Sequence, residues 1–267
     1  MKRIKYEAVV DPLRLATFRR TILTWFEEEG RSLPWRETRD PYAVLVAEIL
    51  LHQTTVQTVI PVYRRFLAAF PDVRTLAAAP LEAVKAITDP LGYKIRGAWL
   101  KAIAETVVTR FGGRVPDTLE GLMSLPGVGR YTAGACLAFA FERRAGVLDT
   151  NVMRVLARYF GLPAPRRADD RHRLWALAES VVPPEAPWAF NQGLMDFGAV
   201  VCRARKPLCL TCPLAPGCPS RGISAGLVAA SGDPVGVWFW ERPRKGQADG
   251  PPAAAPINIG GLPSPRG

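Results

Sequence analysis

The chain reads as an all-α protein. Three observations predict this. Apolar residues recur at helical spacing through most of the first 220 positions, Pro and Gly punctuate those runs where helices start and stop, and no segment shows a convincing period of two. At 267 residues, with 48% hydrophobic residues, the chain can bury a sizeable core as one large domain or two small ones.

The elements follow in order. Residues 12–29 form an amphipathic run with Leu13, Leu15, Phe18, Ile22, Trp25 and Phe26 on its apolar side. Gly30-Arg31-Ser32-Leu33-Pro34-Trp35 breaks it. Asp40-Pro41 opens a second helix to about His52, with Pro in the first turn, where its missing N–H costs nothing. Thr54 or Thr55 is suited to cap a third helix that ends near Phe70. Short helices over 73–79 and 81–87 are separated by Pro80. A long amphipathic helix over 93–111 stops at Gly112-Gly113. A short helix over 119–125 leads into Leu125-Pro126-Gly127-Val128-Gly129, and two further helices are expected at about 170–181 and 188–202. Beyond Ser220 the composition shifts to Gly, Pro, Ala and Ser, so 222–267 reads as a mostly disordered tail. Its aromatic run Trp238-Phe239-Trp240 is the exception, expected either to dock on the folded body or to bind a partner.

The chemistry concentrates between Leu125 and Arg154. Gly127 and Gly129 allow a tight turn whose backbone N–H groups face outward at the positive end of the following helix, an arrangement suited to a phosphate. Twenty residues on, Asp149-Thr150-Asn151 stands at the start of another periodic run, so Asp149 is either only a helix cap or a carboxylate presented at a helix mouth. The formal net charge of +11 suits a polyanion such as nucleic acid or a membrane surface. No apolar run approaches membrane-spanning length, and MKRIKYEAVV lacks the apolar core of a signal peptide. A soluble, cytoplasmic monomer is the expectation, nucleoid-associated if the source is bacterial or archaeal.

Four of the five cysteines lie within seventeen residues: Cys202, Cys209, Cys212 and Cys218, in the pattern C-x6-C-x2-C-x5-C. In a reducing compartment this reads as a metal site. The spacing alone leaves zinc and an iron–sulfur cluster open. Arg203, Arg205 and Lys206 sit between the first two, either as a solvated charged loop or as contacts to phosphates. Cys136, on the apolar helix after the Gly turn, reads as a buried thiol.

LPGVGRYTAGA, VLDTNVMRVLARYFG and NQGLMDFGAVVC, followed by the cysteine pattern, resemble the helix-hairpin-helix DNA glycosylase superfamily. The likeness covers about residues 10–220 and is strongest to the branch holding endonuclease III, the MutY-type adenine glycosylases and the thymine/uracil mismatch glycosylases. It implies a [4Fe-4S] cluster on the four cysteines. It also implies two helical lobes flanking a DNA cleft: a six-helix lobe over 33–143, and a cluster lobe over 8–32 plus 144–221. The partner implied is double-stranded DNA with a mismatched or damaged base.

By the same resemblance Asp149 is the catalytic aspartate, and Leu125, Gly127, Val128, Gly129 and Arg130 belong to the phosphate-gripping hairpin. Tyr131 stands where endonuclease III-like enzymes carry the lysine that forms a Schiff base. A phenol cannot form that imine, so a monofunctional enzyme is expected. Glu48, in the apolar stretch VAEILLHQTTV, matches the acid of MutY-type proteins and would protonate a purine leaving group. Gln53 matches the residue that fills the gap left by the extruded base, and Tyr93 a wedge near the opposite base. Trp35 fits either a purine pocket wall or the core. His52 and Lys94 depart from the MutY pattern, and only about fifty residues follow Cys218, whereas MutY enzymes carry a further domain there. Arg39-Asp40-Pro41-Tyr42 matches the thymine/uracil enzymes. The expectation is adenine excision opposite guanine or 8-oxoguanine. Thymine/uracil excision from T:G and U:G is the first alternative, an endonuclease III-like glycosylase/lyase the second, and a non-catalytic iron–sulfur DNA-binding protein the third.

Overall fold

The computed structural model describes residues 6–162, 167–221 and 235–241. Eleven α-helices account for most of them: α1 (Pro12–Glu29), α2 (Pro41–Leu50), α3 (Val56–Ala69), α4 (Val73–Ala78), α5 (Leu81–Thr88), α6 (Ile95–Phe111), α7 (Leu119–Met123), α8 (Arg130–Phe139), α9 (Thr150–Tyr159), α10 (Ala168–Val181) and α11 (Pro187–Val200). The start signals act as the sequence suggests. Asp11, Asp40, Thr55, Asp72, Thr118 and Asp149 each accept a backbone N–H from the first turn of their helix. Gly112, at φ 63°, closes α6 in the left-handed conformation. The start of α6 moves from the expected Tyr93 to Ile95, because Gly92 turns the chain at φ 92° just before it.

The strand-free reading is corrected at both ends. Tyr6–Val10 (β1) and Val237–Glu241 (β2) pair antiparallel, with Tyr6 opposite Glu241 and Val10 opposite Val237. The aromatic run that stood apart from the tail lies on β2, and its Phe239 docks on the folded body: Phe239 and Tyr6 both lie under the Arg173 guanidinium. The remaining tail expectation, for 222–234 and 242–267, falls outside the described residues.

Buried apolar side chains gather into two main cores. One is drawn from residues 33–147 and centres on α2, where Tyr42 through Leu50 are all buried. The other takes Phe18 and Ile22 of α1, much of α9, α10 and α11, and Val10 and Val237 of the ribbon. A polar strut crosses between them. The fully buried Asp196 of α11 accepts from Arg31 Nε at 2.9 Å and from both Arg36 terminal nitrogens at 2.8 Å, while Arg36 Nε reaches Gln192 Oε1 at 2.7 Å. Such charge-assisted forks are directional, so they fix the rotation of one core against the other. Gly134 on α8 meets the Gly146 carbonyl so closely that a Cβ there would sit 2.6 Å from that oxygen.

Candidate active site

Three distant stretches bring Glu48, Tyr131 and Asp149 together. Glu48 is carried into the interior by α2 and is only 3% exposed. Its carboxyl hydrogen-bonds with the Tyr131 side chain from the first turn of α8, and its Oε2 has no partner. Burial pushes the Glu48 carboxyl up from 4.5 to about 7, and the nearby charge of Asp149 adds to the rise. The Tyr131 hydrogen bond and the Arg36 charge act the other way. Glu48 is therefore half-neutral at neutral pH, with a free oxygen from which to donate. Burial, then the two carboxyls, raise the Tyr131 phenol well above its ordinary value, so it stays a neutral donor.

Asp149 caps α9. Its Oδ1 accepts the Val152 N–H at 2.7 Å and its Oδ2 the Asn151 side-chain amide at 3.0 Å. Burial raises its pKa against those hydrogen bonds and the charge of Arg154. The cap and the functional reading coexist: the helix terminus helps hold a carboxylate in a buried place. Cys136, also on α8, is fully buried and pushed well up by burial and by Glu48.

The hairpin lies beside this group. Leu125 and Val128 are buried, Gly127 adopts φ 72°, and Gly129 caps α8 with open space where a side chain would be. A Cβ on Gly127 would strike the Trp99 ring at 2.4 Å, so both the backbone angle and the packing demand glycine. The Arg130 guanidinium turns to an ion pair with Glu179 and lies 5.0 Å above the Trp175 ring. Gln53 is exposed at φ 53°, and Tyr93 is half-buried against Trp99. Trp35 is a core residue, 7% exposed and edge-on to Tyr63.

Cys202, Cys209, Cys212 and Cys218 line one cavity of about 30 Å³. Burial and the neighbouring sulfurs lift Cys212 to about 11, and Cys218 is raised for the same reasons. Four thiolates are tolerated there only around a cationic centre that offsets their repulsion. Among the described residues no three His, Cys, Asp or Glu side chains are gathered closely enough for one metal ion. The loop that opens this cavity is anchored by Arg154 on the Cys202 carbonyl at 2.7 Å and Arg158 on the Arg203 carbonyl at 2.8 Å. Arg203, Arg205 and Lys206 stand exposed on it. No described helix is long and apolar enough to cross a membrane.

The family model described as "HhH-GPD superfamily base excision DNA repair protein" matches residues 46–180, half of the chain. The chain belongs to this superfamily. It is 44% identical to the adenine DNA glycosylase of Rattus norvegicus over 219 residues, which are 78% of this chain and 42% of that protein. It is also 44% identical to the thymine/uracil-DNA glycosylase of Pyrobaculum aerophilum over 203 residues, 74% of this chain and 88% of that one. The chain thus spans about two fifths of the mammalian adenine glycosylase. Among solved structures, a thermostable thymine-DNA glycosylase superposes with TM-score 0.73 at 37% identity, over 78% of this chain and 96% of that one. A trapped endonuclease III–DNA covalent intermediate superposes at 0.66 and 26%, over 79% and 97%.

The HhH-GPD match covers the hairpin, Glu48, Tyr131 and Asp149. Sequence reasoning missed the supports around them: Arg36 and Asp196, Arg96 and Trp99. NQGLMDFG held a signal for Asp196, which carries the one charge in its helix. Arg96 and Trp99 had none, because an arginine and a tryptophan three apart fit any amphipathic helix.

Proposed function

We propose that this chain is a monofunctional, mismatch-specific DNA N-glycosylase that removes adenine opposite guanine or 8-oxoguanine. The observation that carries the reading is Glu48: a buried carboxyl lifted to about 7, with one oxygen unpartnered. Adenine leaves slowly unless its ring is protonated, and a neutral acid in an apolar pocket is suited to donate that proton. The two cores would be the lobes on either side of the duplex, with Gly127–Gly129, Arg203, Arg205 and Lys206 on the phosphates.

The target nucleotide must leave the stack before its anomeric carbon can be reached. Glu48 gives its proton to a purine ring nitrogen as the C1′–N9 bond breaks, and the bond pair leaves with the neutral base. The sugar becomes a cation facing the Asp149 carboxylate, which stabilises it. Water adds to C1′, and the proton it sheds restores the acid. Tyr131 holds the Glu48 carboxyl and cannot form an imine, so the product is an intact abasic strand.

Cys202, Cys209, Cys212 and Cys218 would hold a [4Fe-4S] cluster. All four side chains line one cavity, and four cysteine thiolates are the ligand set such a cluster takes. When bound, it would supply a charge-compensating cross-link among these thiolates, next to the loop that carries Arg203, Arg205 and Lys206.

Single-turnover cleavage of A:G, A:8-oxoG, T:G and U:G duplexes tests the reading. Adenine release is expected, and cutting of T:G and U:G alone overturns it. Thymine/uracil excision is the second reading, favoured by the 37% identity to the solved thymine-DNA glycosylase. Asp149→Asn separates an enzyme from a DNA-binding protein, since alkali-labile sites should vanish while binding persists.

A further inference from the structure

Helix α6 carries two side chains that join the hairpin to the Gln53 turn. The Trp99 ring lies directly against Gly127, within 2.4–2.8 Å of where a Cβ would be. The same ring meets His52 edge-on at 5.9 Å and Tyr93 at 5.7 Å. One turn earlier Arg96 is fully buried, and its Nη2 donates to the His52 carbonyl and, at 2.7 Å, to Thr54 Oγ1. Those two acceptors flank Gln53.

Two features of this arrangement are unfavourable in themselves. Gln53 holds a left-handed backbone, uncommon for any residue but glycine, which persists only where the surroundings impose it. Arg96 buries a guanidinium whose Nε and Nη1 have no partner. Both are explained if the turn must present Gln53 outward at a set distance from the hairpin. Trp99 itself is half-buried, so core filling alone does not account for its place.

We infer that Trp99, together with Arg96, is a positioning residue that fixes the Gln53 turn against the Gly127 hairpin. The strand grip and the filling of the vacated stack then occur in one register. This rests on the glycosylase reading above and on the gap-filling role that the resemblance implies for Gln53. The hairpin fixes one phosphate, and Gln53 must enter the duplex at a defined offset from it. A misplacement of about 1 Å costs on the order of 10²-fold in rate.

The test is a double-mutant cycle read two ways. Trp99→Leu and Gln53→Ala, singly and together, are assayed by single-turnover excision and by the fluorescence of a 2-aminopurine placed beside the mismatch, which rises on unstacking without any cleavage. Each single variant is expected to lower excision from a stacked duplex on the order of 10-fold to 10²-fold, and the double variant no further than the worse single, because coupled positions are not additive. Trp99→Phe, which keeps a ring against Gly127, restores the fluorescence rise. A duplex with the target opposite an abasic site, already partly unstacked, is affected far less.

Additive losses, or equal slowing on stacked and unstacked duplexes, overturn the inference. Trp99→Met replaces the leucine variant if that one does not fold. If the unaltered chain excises nothing from any duplex, the glycosylase reading fails, and the 2-aminopurine cycle still decides the part played by Trp99.

Discussion

Replacing Glu48 with Gln should change how stability depends on pH, by an amount the structure fixes. The unfolded carboxyl titrates near 4.5 and the folded one at about 7. Between those values the folded state binds one proton more than the unfolded state, so stability falls as pH rises. It is fully present below 4.5 and lost through 7. At about 1.4 kcal/mol per pKa unit, the loss attributable to Glu48 between pH 5 and pH 8 is about 2–3 kcal/mol. Gln keeps the shape and can still accept from Tyr131, so any constant cost of its amide moves the curve without tilting it. Urea unfolding of both proteins at pH 5, 6, 7 and 8 gives the difference directly. The variant should gain about 2–3 kcal/mol relative to the unaltered chain across that range. Parallel curves would mean that Glu48 is ionised in the fold, and the argument for it as a proton donor would fall with them.

Excision of adenine should decline as pH rises above about 7, as Glu48 loses its proton. Tyr131→Phe removes a hydrogen bond that lowers the Glu48 pKa, so this decline should move to higher pH, read from single-turnover rates. Asp149→Ala should both abolish excision and cost about 1 kcal/mol through loss of the α9 cap, whereas Asp149→Asn, which can still cap, should abolish excision alone; thermal melts separate the two. Borohydride should trap no stoichiometric enzyme–DNA adduct, because Tyr131 offers no amine. Replacing Arg203, Arg205 and Lys206 by Ala should reduce the salt dependence of binding to undamaged duplex by about one counterion per lost phosphate contact. Metal analysis of the purified chain should find iron with sulfide, and zinc alone would refute the cluster.

Much of the fold could be read in advance because helix signals are local. Asp11, Asp40, Thr55 and Gly112 announce themselves within a few residues of the turn they cap. The ribbon could not be read in this way. Tyr6–Val10 is five residues long, and the partner that makes it a strand lies some 230 residues away. Asp149 stood out by its place at a helix mouth, but Glu48 and Tyr131 were visible only through a resemblance, since no local pattern says that α2, α8 and α9 converge. The elevation of the Glu48 pKa could be guessed from its apolar neighbours, but its unpartnered oxygen could not. Arg96 stayed hidden because propensity treats an arginine on a helix as a surface residue, and only the packed structure shows the turn it holds.

The pairing of β1 with β2 has a consequence for how the molecule is made. Val10 and Val237 are both buried in the second core, Asp11 donates to the Gly236 carbonyl, and Val235 donates to that of Phe160. A polypeptide leaving the ribosome can complete the core drawn from residues 33–147 early, but this closure waits until Val237–Glu241 has emerged, long after β1. Until then, α1 and the strand before it lack their last neighbour.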